Sequence, residues 1–512
     1  MAEVSDGSLQ RVRLDDAPVV RVEGQRLDQY PARHGTTLAA RPGRTGGRMT
    51  HGIEQVVERG MCIGCGACSV RTSGAIPVTI GRRGVYEARL DGALSTDALR
   101  AASRVCPFSD DARNEDVLAR ERFADLPRDD RIGAHLEVVA GRRTSEHEIV
   151  GSSSGGLTSL LLEELLRAGL VDGVLHVGRS AGDPRFSYTV STSPEKIERD
   201  RKSMYSATTL ADVVAGIRGD GRTYAVVGVP CFIKALRLLA AELPDLDAQF
   251  GVYVGLVCGH LKSTFFAESL AWQAGVPPTE LEGIDFRVKN ASRYAWDYDY
   301  DAVSVDGAHH VRRSADTIDG GWGFGAFQPE ACNFCDDVFA EGADVAFADA
   351  WLHKYAADWR GTNAVVIRDE RVRRLLQAAA ERGGVELEPL SVEDAARSQA
   401  GGFRHRRAGL SLRLADDLAA GLSVPTKRVP PDRTVVSRRR AAVLRQRRRI
   451  SRLSLVAFAD AREAGDFERY AGPMRRAIRR YRFLDAWSQG AKALTRHVAR
   501  PVVHRARRML RR

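Results

Sequence analysis

The chain has 512 residues, of which 44% are hydrophobic and 28% are charged, and its formal net charge is +11. This length exceeds one ordinary hydrophobic core and predicts two or three domains. The sequence has no apolar run of the roughly 18 residues that a membrane-spanning helix needs, and no apolar core of a signal peptide. These features argue against a membrane-spanning protein. They predict a folded cytoplasmic one, in which the eight cysteines stay reduced and serve metals or catalysis.

Both ends of the chain differ in composition from its middle. Residues 1–50 are rich in Arg, Asp and Gly and show no sustained periodicity, which predicts a mostly disordered segment. Residues 425–512 hold 26 Lys and Arg against six Asp and Glu, whereas the rest of the chain is net acidic. The sequence therefore predicts a mildly acidic core that carries a strongly basic tail.

Three cysteines lie three residues apart in the stretch Met61–Cys68, and a fourth directly precedes Pro107. A C-x2-C-x2-C loop supplies three thiolates to an iron–sulfur cluster from one turn, and a distant Cys-Pro pair typically supplies the fourth. Gly64 and Gly66 let the backbone curl between the ligands. We interpret four residues as ligands of a [4Fe–4S] cluster: Cys62, Cys65, Cys68 and Cys106. A zinc site, which usually takes two separated pairs, and a disulfide are the alternatives.

The residues around this loop have the pattern of a small ferredoxin-like module. A short helix is expected over Ile53–Arg59, before the loop, and two short strands over Val78–Ile80 and Val85–Ala88, after it. We therefore expect a separate iron–sulfur module at the start of the folded chain.

A glycine- and serine-rich loop, Gly151–Gly156, precedes the predicted helix Leu157–Ala168 and the predicted strand Gly173–Val177. Exposed N–H groups and the helix dipole at such a junction favour a phosphate. A plain turn with Ser153 or Ser154 as the N-cap residue explains the same pattern equally well. Both interpretations therefore stay open.

The next stretch has the pattern of a strand, a helix and a strand, over Thr223–Gly228, Phe232–Glu242 and Phe250–Val257. A crossover of this length makes the two strands parallel. Cys231 and Cys258 stand just past the two strands. They should therefore meet at one edge of the sheet, where α/β proteins bind ligands.

A C-x2-C pair later in the chain supplies two more thiols to this edge. We predict a second four-thiolate site, formed by Cys231, Cys258, Cys332 and Cys335. The alternative is that Cys231 and Cys258 are buried small hydrophobic residues, as free cysteines often are. His260 and His405 are interpreted as surface residues or local hydrogen-bonding partners, not as ligands. Further strands are expected over Val345–Phe347, Ala364–Arg368 and Val385–Leu387, a helix over Val372–Glu381, and a linker or arm over 391–424.

Several of these stretches, taken in order over roughly 53–425, resemble the family of coenzyme F(420) hydrogenase/dehydrogenase beta subunits, which includes 7-hydroxymethyl chlorophyll a reductase. The matching stretches are Met61–Cys68, Ser153–Gly156, Lys202–Tyr205, Gly228–Cys231, Leu256–Gly259, Asp285–Lys289, Cys332–Asp336 and Ala348–Trp351. One departure is Thr72, which stands near the place where many relatives have a fourth loop cysteine. Cys106 must therefore take that role.

The resemblance implies FAD bound in the α/β domain beside iron–sulfur clusters, and electron exchange with a two-electron carrier, typically the deazaflavin F(420). By position it assigns seven residues to the flavin side: Ser153, Ser154, Gly155, Gly156, Lys202, Ser203 and Tyr205. A lysine near a flavin can hold a phosphate or stabilise the negative charge of the reduced ring. From the sequence alone, a solvated surface charge is the simpler interpretation of Lys202.

Together these features predict an α/β core with a parallel or mixed sheet, preceded by a small ferredoxin-like iron–sulfur module and followed by a basic helical tail. The expected divisions are a disordered segment (1–50), the [4Fe–4S] module (51–130), an α/β flavin-binding domain (131–260), a second family domain with the second cluster motif (261–425) and the tail (426–512).

The expected function is an iron–sulfur flavoprotein oxidoreductase with two [4Fe–4S] clusters, FAD, and coenzyme F(420) as co-substrate. One alternative is an electron-transfer subunit with no substrate pocket of its own, which passes electrons to a redox partner protein. Some relatives in the family are associated with cell-surface polysaccharide synthesis, which is one candidate context for such a partner. Another alternative is an adaptor whose clusters are structural. The eight cysteines favour the two redox functions over the adaptor.

The basic tail lies outside the resemblance. Its arginines are mixed with Ile450, Leu453, Val456 and Phe458, a combination that suits an anionic membrane surface. Nucleic acid is not expected, because no recognition motif accompanies the charges. We predict peripheral, salt-sensitive association with the inner face of the membrane. A solvated helical extension or a docking arm for a protein partner explains the composition equally well.

Overall fold

The computed structural model describes residues 51–180, 182–491 and 493–495. The segment predicted to be disordered, 1–50, and the end of the basic tail, 496–512, lie outside the described residues. The first described elements surround the predicted iron–sulfur loop: α1 (Ile53–Glu58), α2 (Ala67–Arg71), β1 (Val78–Ile80), β2 (Tyr86–Ala88), α3 (Thr96–Val105), α4 (Glu115–Arg122), β3 (Arg128–Asp129) and β4 (Gly133–Ala134). β1 and β2 pair antiparallel, as do β3 and β4.

An eight-stranded mixed sheet forms the centre of the described structure. The middle of the chain supplies β5 (Glu137–Arg143), β6 (Gly173–Arg179), β7 (Phe186–Ser191), β8 (Tyr224–Gly228), β9 (Phe250–Leu256), β10 (Leu281–Val288), β11 (Asp299–Ser304), β12 (His309–Arg313), β13 (Val345–Asp349), β14 (Asn363–Ile367) and β15 (Val385–Pro389). The sheet order is β15–β5–β14–β13–β9–β8–β6–β7. The four strands from β13 to β6 run parallel, and those outside them pair antiparallel. The predicted α/β core is therefore confirmed, with a mixed sheet.

Helices pack on both faces of this sheet. The helices in the middle of the chain are α5 (Glu146–Val150), α6 (Leu157–Arg167), α7 (Pro194–Arg199), α8 (Ala211–Ile217), α9 (Pro230–Glu242), α10 (Pro244–Gln249), α11 (Phe265–Gln273), α12 (His353–Ala356) and α13 (Glu370–Glu381). Of these, α11 packs on β10 and β11. Tyr224 and Val226 of β8 share a core with α9, whereas Ala225 and Val227 share another with α6 and α13. Successive strand residues point to opposite faces, so one apolar run serves both cores.

The predicted crossover is present as β8, α9 and β9, and the two strands are parallel neighbours. A separate antiparallel sheet is formed by β10, β11 and β12. The edge at which β8 and β9 end therefore brings together the residues that follow them, which is the arrangement expected of Cys231 and Cys258.

The stretch 391–424, expected to be a linker or arm, is helical, and that prediction was wrong. It forms α14 (Val392–Ser398), α15 (Ala400–Arg406) and α16 (Ala408–Ala419). Phe403, Leu410 and Leu412 are buried in these helices. The arginines that make the stretch look polar include Arg406 and Arg413, and these too are buried.

The basic tail forms a helical hairpin, α17 (Arg438–Ala464) and α18 (Glu468–Gln489), which packs on the protein. Ile450 and Phe458 are fully buried and share a core with Tyr470 and Met474 of α18. The apolar face proposed for a membrane is therefore largely turned into the protein, and Val456 is its exposed remainder. Among the described helices, none combines the length and the apolar character needed to cross a membrane.

Candidate metal centres

One small cavity is lined by the four cysteines that we call the first quartet: Cys62, Cys65, Cys68 and Cys106. Three come from the loop before α2 and from α2 itself, and the fourth directly follows α3. Gly64 has a φ of +66°, and a Cβ there would lie 2.2 Å from the Cβ of Tyr86, so only glycine fits. The N–H groups of Gly64 and Ala88 donate to the Cys62 sulfur at 3.4 and 3.3 Å.

The thiols of the first quartet influence one another. The pKa of Cys106 is raised to about 12, mainly by burial and to a smaller extent by the Cys62 thiol. Burial also raises the pKa of Cys68, to which Cys65, Cys62 and Cys106 add. Thiols this close cannot ionise together unless a cation shares their site, so the quartet is suited to a metal or a metal cluster.

The second quartet consists of Cys231, Cys258, Cys332 and Cys335. Cys231 lies in the first turn of α9 and Cys258 just beyond β9, so the parallel strands carry both to one edge. Burial raises the pKa of Cys231, and the thiols of Cys335, Cys258 and Cys332 add to it. The structure thus brings these four side chains together. The Leu261 N–H donates to the Cys332 sulfur at 3.3 Å.

The two quartets lie on the same hydrophobic core. Cys65 and Cys106 of the first and Cys231 of the second all pack against it. The Cys65 thiol also raises the pKa of Cys231, although burial has the larger effect. Tyr188 lies beside both Cys231 and Cys65, and its hydroxyl donates to the Val227 carbonyl at 2.9 Å.

A buried guanidinium stands beside the second quartet. Arg406, at the end of α15, is 2% exposed, and its Nη2 donates to the carbonyls of Cys258 and Gly259 at 2.6 and 3.1 Å. Its Nε and Nη1 make no well-aligned hydrogen bond within the described part of the chain. Burial lowers the pKa of Arg406, but the thiols of Cys335 and Cys258 raise it by more.

The C-terminal hairpin adds a second cation. Arg447 of α17 donates to His405 Nδ1 at 2.5 Å, and His405 Nε2 in turn contacts the Cys332 carbonyl at 3.0 Å. An arginine can only donate, so Nδ1 accepts and Nε2 carries the proton. Burial, followed by Arg447 and Arg413, holds the pKa of His405 well below its usual range. His405 and His260 are thus buried, and the surface interpretation of them was wrong.

The residues assigned to the flavin side lie close together. The Ser203 N–H donates to Ser153 Oγ at 2.8 Å, which joins the two predicted stretches. Lys202 is 16% exposed and pairs with Asp285 at 2.5 Å, so it is not a solvated surface charge. The ring of Tyr205 lies 4.9 Å from that of Trp322.

This group of residues continues to the second quartet. The Trp322 ring lies 4.8 Å from the imidazole of His260, which is two residues beyond Cys258. Lys262 Nζ lies 4.2 Å from the Phe266 ring centre and 4.8 Å from that of Trp322. Burial lowers the pKa of Lys262 to about 7. An aromatic and cationic region therefore adjoins the second quartet.

The glycine- and serine-rich loop is engaged mainly with the sheet. The N-cap of α6 is Gly156, so the alternative with Ser153 or Ser154 as the N-cap was wrong. Ser154 Oγ donates to the Thr362 carbonyl at 3.2 Å. A Cβ on Gly155 would lie 2.6 Å from the carbonyl oxygen of Gly141, so this glycine is required for packing whether or not a phosphate binds.

Sequence reasoning missed the charged residues of β10 as parts of this site. Asp285 and Arg287 lie two residues apart in β10, and Lys289 directly follows the strand. Arg287 Nη1 donates to Asp349 Oδ2 at 3.0 Å, and Lys289 Nζ donates to the Ser154 carbonyl at 2.8 Å. Burial lowers the pKa of Lys289 to about 7. The signal was available, because three charges at every second position, in a strand and directly after it, are unusual in a buried sheet.

A mixed α/β sheet with a cysteine quartet at the ends of its parallel strands defines a class of protein with a candidate metal centre beside the sheet. Two family profiles identify it further. The N-terminal profile of the coenzyme F(420) hydrogenase/dehydrogenase beta subunit matches residues 138–215, and the C-terminal profile matches residues 221–393. The part of the chain from 138 to 393 therefore matches this family, as its motifs indicated.

Similar proteins are known in archaea and cyanobacteria. A subunit of the F(420)H(2) dehydrogenase of Methanosarcina mazei is 28% identical over 221 residues, which are 40% of this chain and 55% of that protein. Uncharacterized protein all1601 of Nostoc sp. is 29% identical over 136 residues, 26% of this chain and 34% of that protein. The chain thus matches about half the length of the first relative and about a third of the second.

A chain in a solved, xenon-derivatised structure of the F(420)-reducing NiFe hydrogenase complex from Methanosarcina barkeri is also similar. The similarity covers 58% of this chain and 98% of that one, with 16% sequence identity and a TM-score of 0.45. The family profiles include the second quartet and the predicted flavin-side residues. The first quartet and helices α15 to α18 lie outside the matched ranges.

Proposed function

We propose that this protein is an iron–sulfur flavoprotein that transfers electrons between two [4Fe–4S] clusters, FAD and a two-electron carrier, coenzyme F(420). The observation that carries the proposal is the convergence of eight cysteines into two quartets, each of which has members on one shared hydrophobic core. The first relative is described as part of an F(420)H(2) dehydrogenase, which supports F(420) as the carrier.

The spacing of the sulfurs supports clusters over single zinc ions. Among the described residues, no cysteine belongs to a group of three candidate ligand atoms that all lie within 4.8 Å of one another. Four thiolates at about 2.3 Å from one zinc ion would be roughly 3.8 Å apart. An iron–sulfur cluster is larger than one ion and spreads its thiolates more widely. The backbone N–H groups directed at Cys62 and Cys332 are contacts that tune such clusters.

The flavin placement rests on the group around Lys202. When bound, FAD couples one-electron transfer from clusters to two-electron hydride chemistry. Lys202 and Arg287 would offset negative charge on the cofactor, and the rings of Tyr205 and Trp322 would pack against it. Lys262, with its pKa near 7, would hold or release the proton that accompanies the second electron. Ser153–Gly156 and Ser203 would complete the pocket wall.

An electron-transfer subunit that serves a partner enzyme is the second candidate. The outer face of α18 favours it, because four arginines there are exposed: Arg475, Arg476, Arg479 and Arg480. Such a face fits an acidic partner protein, and binding should weaken as salt rises. Anionic lipid is the other candidate partner for this face, but only the exposed arginines support it, because most of the apolar residues proposed to contact the membrane are buried. Oxidation of reduced F(420) by the isolated chain favours the enzyme; electron transfer only after a partner is added favours the subunit.

Anaerobic purification of the full chain, with metal, sulfide and flavin analysis, tests the proposal. We expect about eight iron and eight acid-labile sulfide per chain, together with FAD. Zinc in place of iron contradicts the cluster assignment. Lys202→Gln should lower FAD occupancy and leave iron unchanged, whereas the exposed Lys354→Gln serves as the matched control. Full FAD occupancy in Lys202→Gln contradicts the flavin placement.

A further inference from the structure

The two quartets differ in the charges that face them. At the first quartet, Lys234 acts on Cys106 and Glu87 acts on Cys62, so opposite charges offset one another. At the second, Arg406 faces three of the thiols. Arg447 and Lys262 have Cys332 among their charged neighbours, and Lys427 has Cys335. The carboxylate of Asp337 also acts on this quartet, at Cys258. The second quartet is therefore the more electropositive site.

Arg406 is the cation with unused hydrogen-bonding capacity. Two backbone carbonyls satisfy its Nη2, while its Nε and Nη1 are buried without a well-aligned hydrogen bond among the described residues, and the Cys335 thiol is the side chain that acts on it most strongly. A buried donor without a partner is energetically costly, and more so when it is charged, so native proteins rarely leave one. The neighbouring thiols of the second quartet provide the place where a negatively charged group would satisfy it.

We propose that Arg406 donates its free N–H groups to the anionic group held by the second quartet, and that it makes this group easier to reduce than the one at the first quartet. The inference rests on the proposed function, because it takes both quartets to hold [4Fe–4S] clusters. It concerns residues outside the ranges that match the family profiles.

The physical reason is the charge of the electron. Reduction adds one negative charge to a cluster, and a buried cation stabilises the reduced form more than the oxidised form. Hydrogen bonds to cluster sulfurs and the surrounding net charge are two of the properties that set cluster potentials. Arg447 acts in the same direction from a greater distance, through its contact with His405. Electrons that enter at the first quartet would therefore collect at the second, beside the predicted flavin pocket.

A potentiometric titration of the anaerobic holoprotein, followed by electron paramagnetic resonance, tests the inference. Cys65→Ser, which removes the group at the first quartet, isolates the signal of the second. In that background, Arg406→Gln should lower the reduced-to-oxidised ratio at a fixed potential by at least tenfold, which is about 59 mV for one electron. The matched control is Arg404→Gln, which removes an exposed arginine from the same helix and should change the ratio by less than twofold.

Each outcome decides between defined possibilities. An unchanged ratio in Arg406→Gln, with the second cluster retained, overturns this inference and leaves the proposed function standing. Wild-type protein that binds iron for only one cluster overturns the two-cluster function and the inference with it. If Arg406→Gln loses the cluster, Arg447→Gln replaces it, and we expect a threefold or larger fall in the ratio. No fall in Arg447→Gln then overturns the inference.

Discussion

The first quartet takes all its cysteines from residues 62–106, whereas the second draws on three separate stretches between 231 and 335. Short helices and the two-stranded sheet of β1 and β2 surround the first. The second depends on the parallel strands β8 and β9, and its surroundings include helices from beyond residue 400. The first quartet is therefore built from residues that are close in sequence, whereas the second is built from residues that are far apart in sequence. Substitutions far from the cysteines in sequence should consequently alter the structure of the second quartet more than that of the first.

Removing one ligand from each quartet is the strongest way to test that comparison. Under the proposed function, Cys65→Ser and Cys332→Ser should each lower iron by about half, because each would remove a ligand of one of the two proposed clusters. Cys65→Ser should leave FAD in place, since the flavin-side residues adjoin the second quartet. Iron analysis and flavin absorbance of the anaerobic proteins measure both effects. A loss of all iron in either variant would mean that the two sites assemble together.

Cutting the link between the C-terminal hairpin and the second quartet should have the next largest effect. Arg448 of α17 is 11% exposed and pairs with Glu330, two residues before Cys332, and with Asp417 of α16. Arg448→Ala removes the buried cation that joins these two carboxylates, although Arg452 still pairs with Glu330 and Arg59 with Asp417. It should cost about 2 kcal/mol of unfolding free energy. Urea unfolding at matched cofactor content measures it. Arg445→Ala, which breaks an exposed pair with Asp416, is the control and should cost less than about 1 kcal/mol.

Some of the features that hold the two quartets were predictable from the sequence. The crossover was predictable because Tyr224–Gly228 and Phe250–Leu256 are apolar runs of strand length on either side of a helix. The same predicted topology implied that Cys231 and Cys258 lie close together. The first quartet was predictable from spacing alone. Each of these predictions uses contacts that are local in sequence or fixed by a handedness rule.

The charged surroundings of the second quartet were not predictable in the same way. Arg406, Arg413 and Lys262 are buried, against the strong tendency of such residues to stay in water. Their partners are backbone carbonyls and thiols far away in the chain, which leave no periodic signal. Because charged residues usually stay in water, the arginine-rich stretch 391–424 was predicted to be a linker. The arginine-rich tail was predicted to lie on a membrane for the same reason, but its Ile450 and Phe458 pack against α18 and α11.

The attachment of the hairpin should also depend on pH. Glu268 of α11 is 2% exposed and lies 3.2 Å from Arg462 of α17. Burial raises the pKa of Glu268 from 4.5 to about 7, despite the lowering effect of Arg462. A raised folded-state pKa gives stability that is full below pH 4.5 and is lost as the pH rises through 7.

Wild-type protein should therefore lose up to about 3 kcal/mol, relative to Glu268→Gln, between these pH values. Urea unfolding of both proteins across the range measures the difference. Parallel pH profiles for the two proteins would show that Glu268 does not titrate in this way. The matched Glu280→Gln, on the short turn before β10, should follow the wild-type profile.

The smallest expected effect lies between the quartets. Tyr188→Phe removes the hydroxyl that donates to the Val227 carbonyl and keeps the ring that stacks on Phe232. We expect a loss of about 1 kcal/mol in unfolding free energy, typical of one hydrogen bond. Iron content should stay at the wild-type level, because the tyrosine is not a ligand. A fall in iron would show that Tyr188 maintains the spacing of the two quartets.

The position of α15 and α17 along the chain also has a consequence for biosynthesis. A ribosome makes the cysteines of both quartets well before it makes Arg406 and Arg447, which lie 71 and 112 residues after Cys335. The nascent chain can therefore close the first quartet early, as N-terminal units tend to fold first. Under the proposed function, the second would stay accessible for cluster insertion until α15 and α17 have been made and have packed beside it. The late synthesis of these helices would then place cluster insertion before enclosure of the site.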